Sequence, residues 1–457
     1  MRALLTICLL ACPLAANPPD ETLTQRARRY LGDLIRLDST YPPGNETRVA
    51  KYLKQVADAE GIESELLGDN PDRLNFVARL RGSGSQRPLL LMAHSDVVPA
   101  DPSLWSVPPY SGEIRDGFIY GRGAEDDKSL LAAEMAILVD LKRRGLKLQR
   151  DVIVLSESDE ETGSTGIRWL LANAPEKIDA EFALNEGGHA DDVPDGHRLF
   201  HIQTAEKIPT RITLTARGSA GHGSVPRPDN AVVTLARALV RLADTDQPVR
   251  LNTTTRRYLG EAAKLPDYQW LGPLVGKLES AGTAPEAANQ IRLRQVELAA
   301  LLRTTVSPTM LNAGTKINVI PNTAQARVDI RRLPDESRAE VLDRIRRIVN
   351  DSAVEVTPAG GQEMPPAEPS SLTTSLYIAM ERVFRKHHPK AVILPYMALG
   401  ATDGAFLRSK GMAVYGVPVF VREENASRAH GNDERISLKT MDEGTALLME
   451  IVASVVQ

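Results

Sequence analysis

Tyr120-Gly-Arg-Gly-Ala-Glu-Asp-Asp-Lys128 is the stretch on which the reading of this chain turns. Phe118-Ile119-Tyr120 before it predicts a strand, and the apolar run from Ser129 predicts a helix. Asp126 and Asp127 therefore stand at a strand-to-helix junction. Open α/β sheets bind ligands at such junctions, beyond the carboxyl ends of their strands. An acidic residue ahead of a helix ordinarily serves as a cap or a partner for the helix dipole. The neighbouring segments set this pair apart.

Three further apolar runs end in residues able to hold a cation. Pro88-Leu-Leu-Leu-Met-Ala93 has the unbroken apolar character of a buried parallel strand and ends in His94-Ser95-Asp96. Residues i and i+2 of a strand share a face, so His94 and Asp96 point the same way, and a carboxylate there fixes an imidazole's tautomer. Asp151-Val-Ile-Val-Leu155 runs into an acidic segment holding Glu157, Asp159, Glu160 and Glu161. Two adjacent glutamates offer one metal ligand and one general base. Phe182-Ala-Leu184 ends in Asn185-Glu186. Caps and solvated loops do not explain this repetition.

The pattern then changes. Thr210 to Ala216 alternates with period two, as a half-exposed antiparallel strand does, and a glycine-rich turn carries His222. A helix over Asn230 to Leu242, strands near Thr315 to Ile320 and Ala324 to Ile330, a helix over Ser337 to Val349 and a strand at Ala353 to Val356 complete a β-α-β-β-α-β order. That is the order of a ferredoxin-like module. Residues 208–358 are expected to be a domain inserted between two parts of a catalytic domain, 17–207 and 359–457. Residues 249–302, polar and helical, have no assigned role. His387-His388 before Pro389 reads as exposed rather than ligating.

The 457 residues are 42% hydrophobic and 25% charged with net charge −4, as in soluble globular proteins of two domains. No Lys/Arg block supports nucleic-acid binding. Beyond the N-terminus no apolar run is long enough to span a membrane. Arg2, the apolar run from Ala3 to Ala11 and small residues up to Ala16 predict a signal peptide over 1–16 and a secreted or periplasmic protein. A lipid anchor on Cys12 is the second option. Both cysteines, Cys8 and Cys12, fall in this segment, so the mature chain would offer no thiolate.

His94-Ser-Asp96, the 120–128 stretch, Asp159-Glu-Glu161, Asn185-Glu-Gly187, Gly221-His-Gly223, Asn318-Val-Ile-Pro321, Asp329-Ile-Arg331 and His430-Gly occur in one order. In this the chain resembles the zinc metallopeptidase family of aminoacylase, carboxypeptidase G, carnosinase and succinyl-diaminopimelate desuccinylase (clan MH). The spacer from Val97 to Gly112 resembles the carboxypeptidase S-like branch. The resemblance implies an α/β fold, with a zinc-exopeptidase-type catalytic domain around a central mixed sheet and a ferredoxin-like lid and dimerisation domain. It implies two Zn2+ per chain, with Mn2+ or Co2+ as alternatives. Asp126 would bridge them, His94 and Glu186 would complete one, and Glu161 and His430 the other. Asp96 would orient His94, and a cis peptide would join Asp126 to Asp127. Glu160 would be the general base, and His222 the oxyanion donor, often from a second subunit of a homodimer. Asn318 and Arg331 would bind the substrate's carboxylate, and Gly400 to Gly404, with Gly400 and Thr402 foremost, would line the pocket. The implied reaction is hydrolysis of an amide next to a free carboxylate, in a small peptide first and in an N-acyl amino acid second. A catalytically silent binding protein and an aminopeptidase are the alternatives.

Overall fold

The computed structural model describes residues 21–360 and 364–457; the signal-peptide and Cys12 expectations lie outside them. A nine-stranded mixed sheet forms the centre. Its order is Glu63–Leu67, Asn75–Leu80, Val152–Glu157, Leu89–His94, Phe182–Asn185, Ala413–Gly416, Arg198–Glu206, Ala391–Ala398, and His189–Asp192 pairs with Arg198–Glu206 off this path. Leu89–His94 is parallel to both its neighbours, Val152–Glu157 and Phe182–Asn185. The three acidic or histidine-bearing strand ends therefore meet at one edge of the sheet.

Helices cover both faces, which is why these strands are buried along their whole length. Leu23–Arg36, Lys128–Arg144 and Leu438–Val456 pack on one another on one side. In Lys128–Arg144 every residue up to Leu141 is buried, as its apolar circumference requires. Ile167, Leu170, Phe406 and Leu407 cover the other side. Among the described residues no helix is long and apolar enough to cross a membrane.

Two strands of this sheet escape a reading by periodicity. Arg198–Glu206 is buried almost throughout although His201, Gln203, Thr204 and Glu206 interrupt its apolar run, and Ala391–Ala398 runs parallel beside it. Some of these polar groups pair, Gln203 Nε2 donating to Glu206 Oε2 at 2.9 Å and Thr204 Oγ1 lying 2.8 Å from Thr254 Oγ1, while His201 Nδ1 and Gln203 Oε1 are buried without a hydrogen bond among the described residues.

A second, antiparallel sheet has the order Thr305–Ala313, Thr323–Arg332, Ile208–Arg217, Val354–Pro358. Helices Ala231–Asp244 and Arg338–Val349 share its apolar core, and the chain order is β-α-β-β-α-β. One strand differs from expectation. The sheet's edge is Thr305–Ala313 rather than Thr315 to Ile320, of which only Val319–Ile320 is extended, pairing with Gly221–His222. The edge strand is half-buried to exposed along its length, so it has no apolar alternation to reveal it. It also carries Pro308 at a bulge, which an edge tolerates.

Helices between Thr253 and Ala300 pack not on this second sheet but on the Ala391–Ala398 edge of the first, through Leu259, Ile291, Leu298, Leu394 and Met397. Lys207, at the exit from the first sheet and 1% exposed, ties them down. Its ammonium donates to Ala300 O and Arg303 O at 2.9 Å and to Thr305 Oγ1 at 3.2 Å. A Lys207→Met substitution leaves buried carbonyls without donors. It is expected to lower stability by about 2–4 kcal/mol in urea unfolding; an unchanged midpoint would show the tie to be dispensable.

Candidate metal centre

The strand ends and the loop after Ala429 bring five predicted ligands together. His94 Nε2 is 2.9 Å from Asp126 Oδ1 and 3.9 Å from Glu186 Oε2. His430 Nε2 is 3.1 Å from Asp126 Oδ2 and 2.9 Å from Glu161 Oε1. Two groups of donor atoms result, His94/Asp126/Glu186 and Asp126/Glu161/His430, each lying within 4.8 Å of one another. Asp126 belongs to both, one carboxylate oxygen facing each histidine.

Local structure fixes each donor. The Asp126–Asp127 peptide is cis, as the resemblance implies, and His430 has a left-handed backbone with φ +63°. Asp96 acts differently from expectation. His94 Nδ1 is 3.0 Å from the Asp96 carbonyl oxygen but 3.7 Å from its carboxylate. The carboxylate instead accepts from Glu160 N and Glu161 N, both at 3.1 Å. Asp96 thus orients the imidazole through its main chain and the glutamate pair through its side chain. The Glu160 carboxylate has no hydrogen bond among the described residues and remains free for chemistry.

Two glutamates not singled out beforehand bind the 120–128 stretch to the 427–434 loop. Glu434 is fully buried. It accepts from Glu125 N at 2.8 Å, Asp126 N at 3.1 Å, Gly123 N at 3.1 Å and the Arg122 guanidinium. Glu125 accepts from Arg428 N at 2.7 Å and Ser427 Oγ at 2.6 Å. Glu434 stands four residues after His430, but only contact with the backbone of 123–126 gives it a role.

The remaining predicted residues lie in two places. His222 is exposed, with Nδ1 2.7 Å from Ser224 Oγ, and Gly223 N donates to Asn318 O at 2.8 Å, so His222 and Asn318 share one two-stranded ribbon. Arg331 donates to Asp329 Oδ2 at 2.8 Å. Thr402 is buried and donates to Glu206 Oε2 at 2.9 Å, while Gly400 is exposed. His387 and His388 pair with Glu450 and Glu443, away from the ligands.

The centre is crowded with negative charge. Burial, reinforced by Asp126 and Glu161, pushes Glu186 up to about 8. Burial, then Glu186, pushes Glu160 and Asp127 well above the usual carboxylate range. Burial, then Asp403, does the same to Glu157, neither of whose oxygens is hydrogen-bonded. Asp403 rises to about 7, mainly through burial. Asp126 is held below the usual range: burial opposes its charge, but the two histidines outweigh it. His430 is raised to about 10 by its hydrogen bonds to Asp126 and Glu161. Burial disfavours charge on His94, yet Asp126, Glu186 and Asp96 outweigh it and hold the imidazole well above its normal value. Carboxylates that retain protons and imidazoles that gain them show a deficit of positive charge. Divalent cations on oxygen and imidazole donors fit such a set.

The family model described as peptidase family M20/M25/M40 matches residues 90–454. The chain belongs to this family. It is 29% identical over 419 residues to the N-fatty-acyl-amino acid synthase/hydrolase PM20D1 of Homo sapiens, covering 88% of this chain and 81% of that one. It is 28% identical over 373 residues to a probable carboxypeptidase S-like 2 of Dictyostelium discoideum, covering 78% and 69%. The crystal structure of an M20 family metallo-carboxypeptidase from Sulfolobus solfataricus superposes with a TM-score of 0.70 at 21% identity, over 93% of this chain and 98% of that one. The fold is that of the family, and the chain is a metal-dependent hydrolase.

The proton shifts make a prediction. Metal-free, the folded chain holds an extra proton on Glu186 between its ordinary 4.5 and about 8, and on His430 between 6.5 and about 10. Metal-free stability therefore falls as pH rises through these windows. Cations replace those protons, so the gap in melting temperature between metal-loaded and chelated protein should widen from pH 5 to pH 8. A gap independent of pH would contradict the assignment of these residues as ligands.

Proposed function

We propose that this chain hydrolyses the amide bond of an N-acyl amino acid or small peptide, next to the free carboxylate, at a centre for two divalent ions. The observation that carries this reading is Asp126, with one oxygen toward His94 and the other toward His430, beside a Glu160 carboxylate without a partner. His94 and Glu186 would hold one ion and Glu161 and His430 the other. Zinc suits the two-histidine, three-carboxylate set, with manganese or cobalt as alternatives. When bound, the ions supply Lewis acidity toward the water nucleophile and the scissile carbonyl.

The protein's own part is proton transfer and positioning. Glu160 takes the proton from the attacking water and delivers it to the leaving nitrogen, which departs as the amine. Its raised affinity for protons suits that relay once cations lower it toward working pH. Asp96 keeps the Glu160 main chain in place through Glu160 N. His222, with Asn318 beside it, is the donor assigned to the developing oxyanion. It reaches the centre either on lid closure of residues 208–358 or from a second chain of a homodimer. The similarity to PM20D1, named for N-fatty-acyl amino acids, supports a reading that ranks deacylation ahead of the peptide cleavage that the sequence put first.

A Glu160→Gln variant should keep its metal content and lose about 10²–10⁴-fold in kcat on N-acyl amino acids. Turnover at the wild-type rate with metal bound would leave only a binding role on this fold. Hydrolysis confined to substrates with a free amine would establish an aminopeptidase instead.

A further inference from the structure

The described residues hold three groups of histidine and carboxylate donors within 4.8 Å of one another, and two of them share Asp126. The third, His189, Asp191 and His201, has no part in the proposed reaction. Strand geometry brings it together. His189–Asp192 and Arg198–Glu206 pair antiparallel, with His189 directly opposite His201. Directly opposed residues share a face, and so do residues i and i+2, so all three side chains stand on one side of the ribbon. The rings of His189 and His201 are stacked with centroids 4.2 Å apart.

Polar side chains buried together ordinarily satisfy one another by hydrogen bonds. These imidazoles do not. His201 Nε2 is 3.5 Å and His189 Nε2 3.8 Å from Asp191 Oδ2, and neither ring makes a hydrogen bond among the described residues. His201 and Asp191 are buried, and His201 Nδ1 has no partner. The two distances are long for hydrogen bonds. They are close to the spacing of donors around one ion, where bonds of about 2.0–2.2 Å at a tetrahedral angle put neighbouring donors about 3.3 Å apart. Arg422 forks both Asp191 oxygens at 2.8 and 2.7 Å, which sets the plane of the carboxylate and leaves each oxygen a second lone pair. It also neutralises Asp191, so neither imidazole has to hold a proton to pair with it.

The three donors line a cavity of about 240 Å³. Tyr258, Gln295, Glu297 and Leu298 line it too, from the segment 249–302 that the sequence left without a role. Glu297 makes no ion pair among the described residues, and its carboxylate stands against the Arg422 charge in the same cavity.

We propose that His189, Asp191 and His201 bind a divalent transition-metal ion of their own, and that residues 249–302 close over its remaining coordination position. Two imidazoles and one carboxylate suit zinc or ferrous iron rather than magnesium or calcium, which prefer oxygen donors. The site shares no donor with the Asp126 centre and does not depend on the proposed hydrolysis.

Crystals of the full chain loaded with zinc locate the metal directly, by anomalous scattering at the zinc edge. The expected result is a peak bonded to His189 Nε2, Asp191 Oδ2 and His201 Nε2, besides those at Asp126. Zinc at Asp126 with none among these three residues overturns the proposal. Zinc here and none at Asp126 supports it and overturns the dinuclear reading of the other centre instead. Equilibrium dialysis against micromolar zinc then compares wild type with His201→Gln and Asp191→Asn, melting of the chelated proteins serving as the folding control. Each variant should bind one ion fewer, its affinity at this site falling by about 100-fold or more. An equal count in the wild type and both folded variants means binding at crystal concentration only, and overturns the proposal. Should both variants fail to fold, the wild-type crystal decides.

Discussion

Negative charge concentrated at the carboxyl ends of the parallel strands of the central sheet is the constraint on which this structure depends. Asp96, Asp126, Asp127, Glu157, Glu160, Glu186 and Asp403 gather there with two imidazoles between them. Such groups are costly to bury unless cations or protons neutralise them. Much of the surrounding fold serves that neutralisation. Parallel strands deliver donors from separate parts of the sequence to one edge, and the cover of helices keeps water from screening them.

The second requirement is register between segments far apart in the chain. Glu434 accepts three backbone N–H groups from residues 123–126, and Glu125 returns the contact to residues 427 and 428. The Asp126 carboxylate shared by the two donor groups and His430 are thereby positioned by one reciprocal clamp. Asp96 plays a similar part on the other side, where one residue serves His94 with its carbonyl and Glu160 and Glu161 with its carboxylate. The centre is built by hydrogen bonds to backbone, which hold position without depending on long, flexible side chains.

Legibility in the sequence followed the range of the interactions. His94, Glu161 and Glu186 were readable because each follows an apolar run, and such runs announce buried parallel strands by themselves; Asp126 was readable from its motif alone, since the strand before it, Phe118–Tyr120, pairs antiparallel in a separate three-stranded sheet. His430 needed the family resemblance, since its loop carries no periodic signal. Glu434 and Glu125 were not readable as clamps, because a carboxylate's backbone partners 303 to 311 residues away leave no local pattern. The strands Arg198–Glu206 and Thr305–Ala313 were missed for opposite reasons. The first is buried but its apolar run is broken by polar residues, and the second is an edge whose apolar residues face solvent.

The clamp between the 120–128 and 427–434 segments also bears on biosynthesis. Residue 94 leaves the ribosome long before residue 430, and helix Leu438–Val456 must still arrive to pack on Leu23–Arg36 and Lys128–Arg144. Until then the acidic strand ends have neither their second histidine nor their closing glutamate. The nascent chain therefore passes through a long interval in which four of the five candidate donors exist without His430. The complete set of candidate donors is available only to a chain translated to near its end.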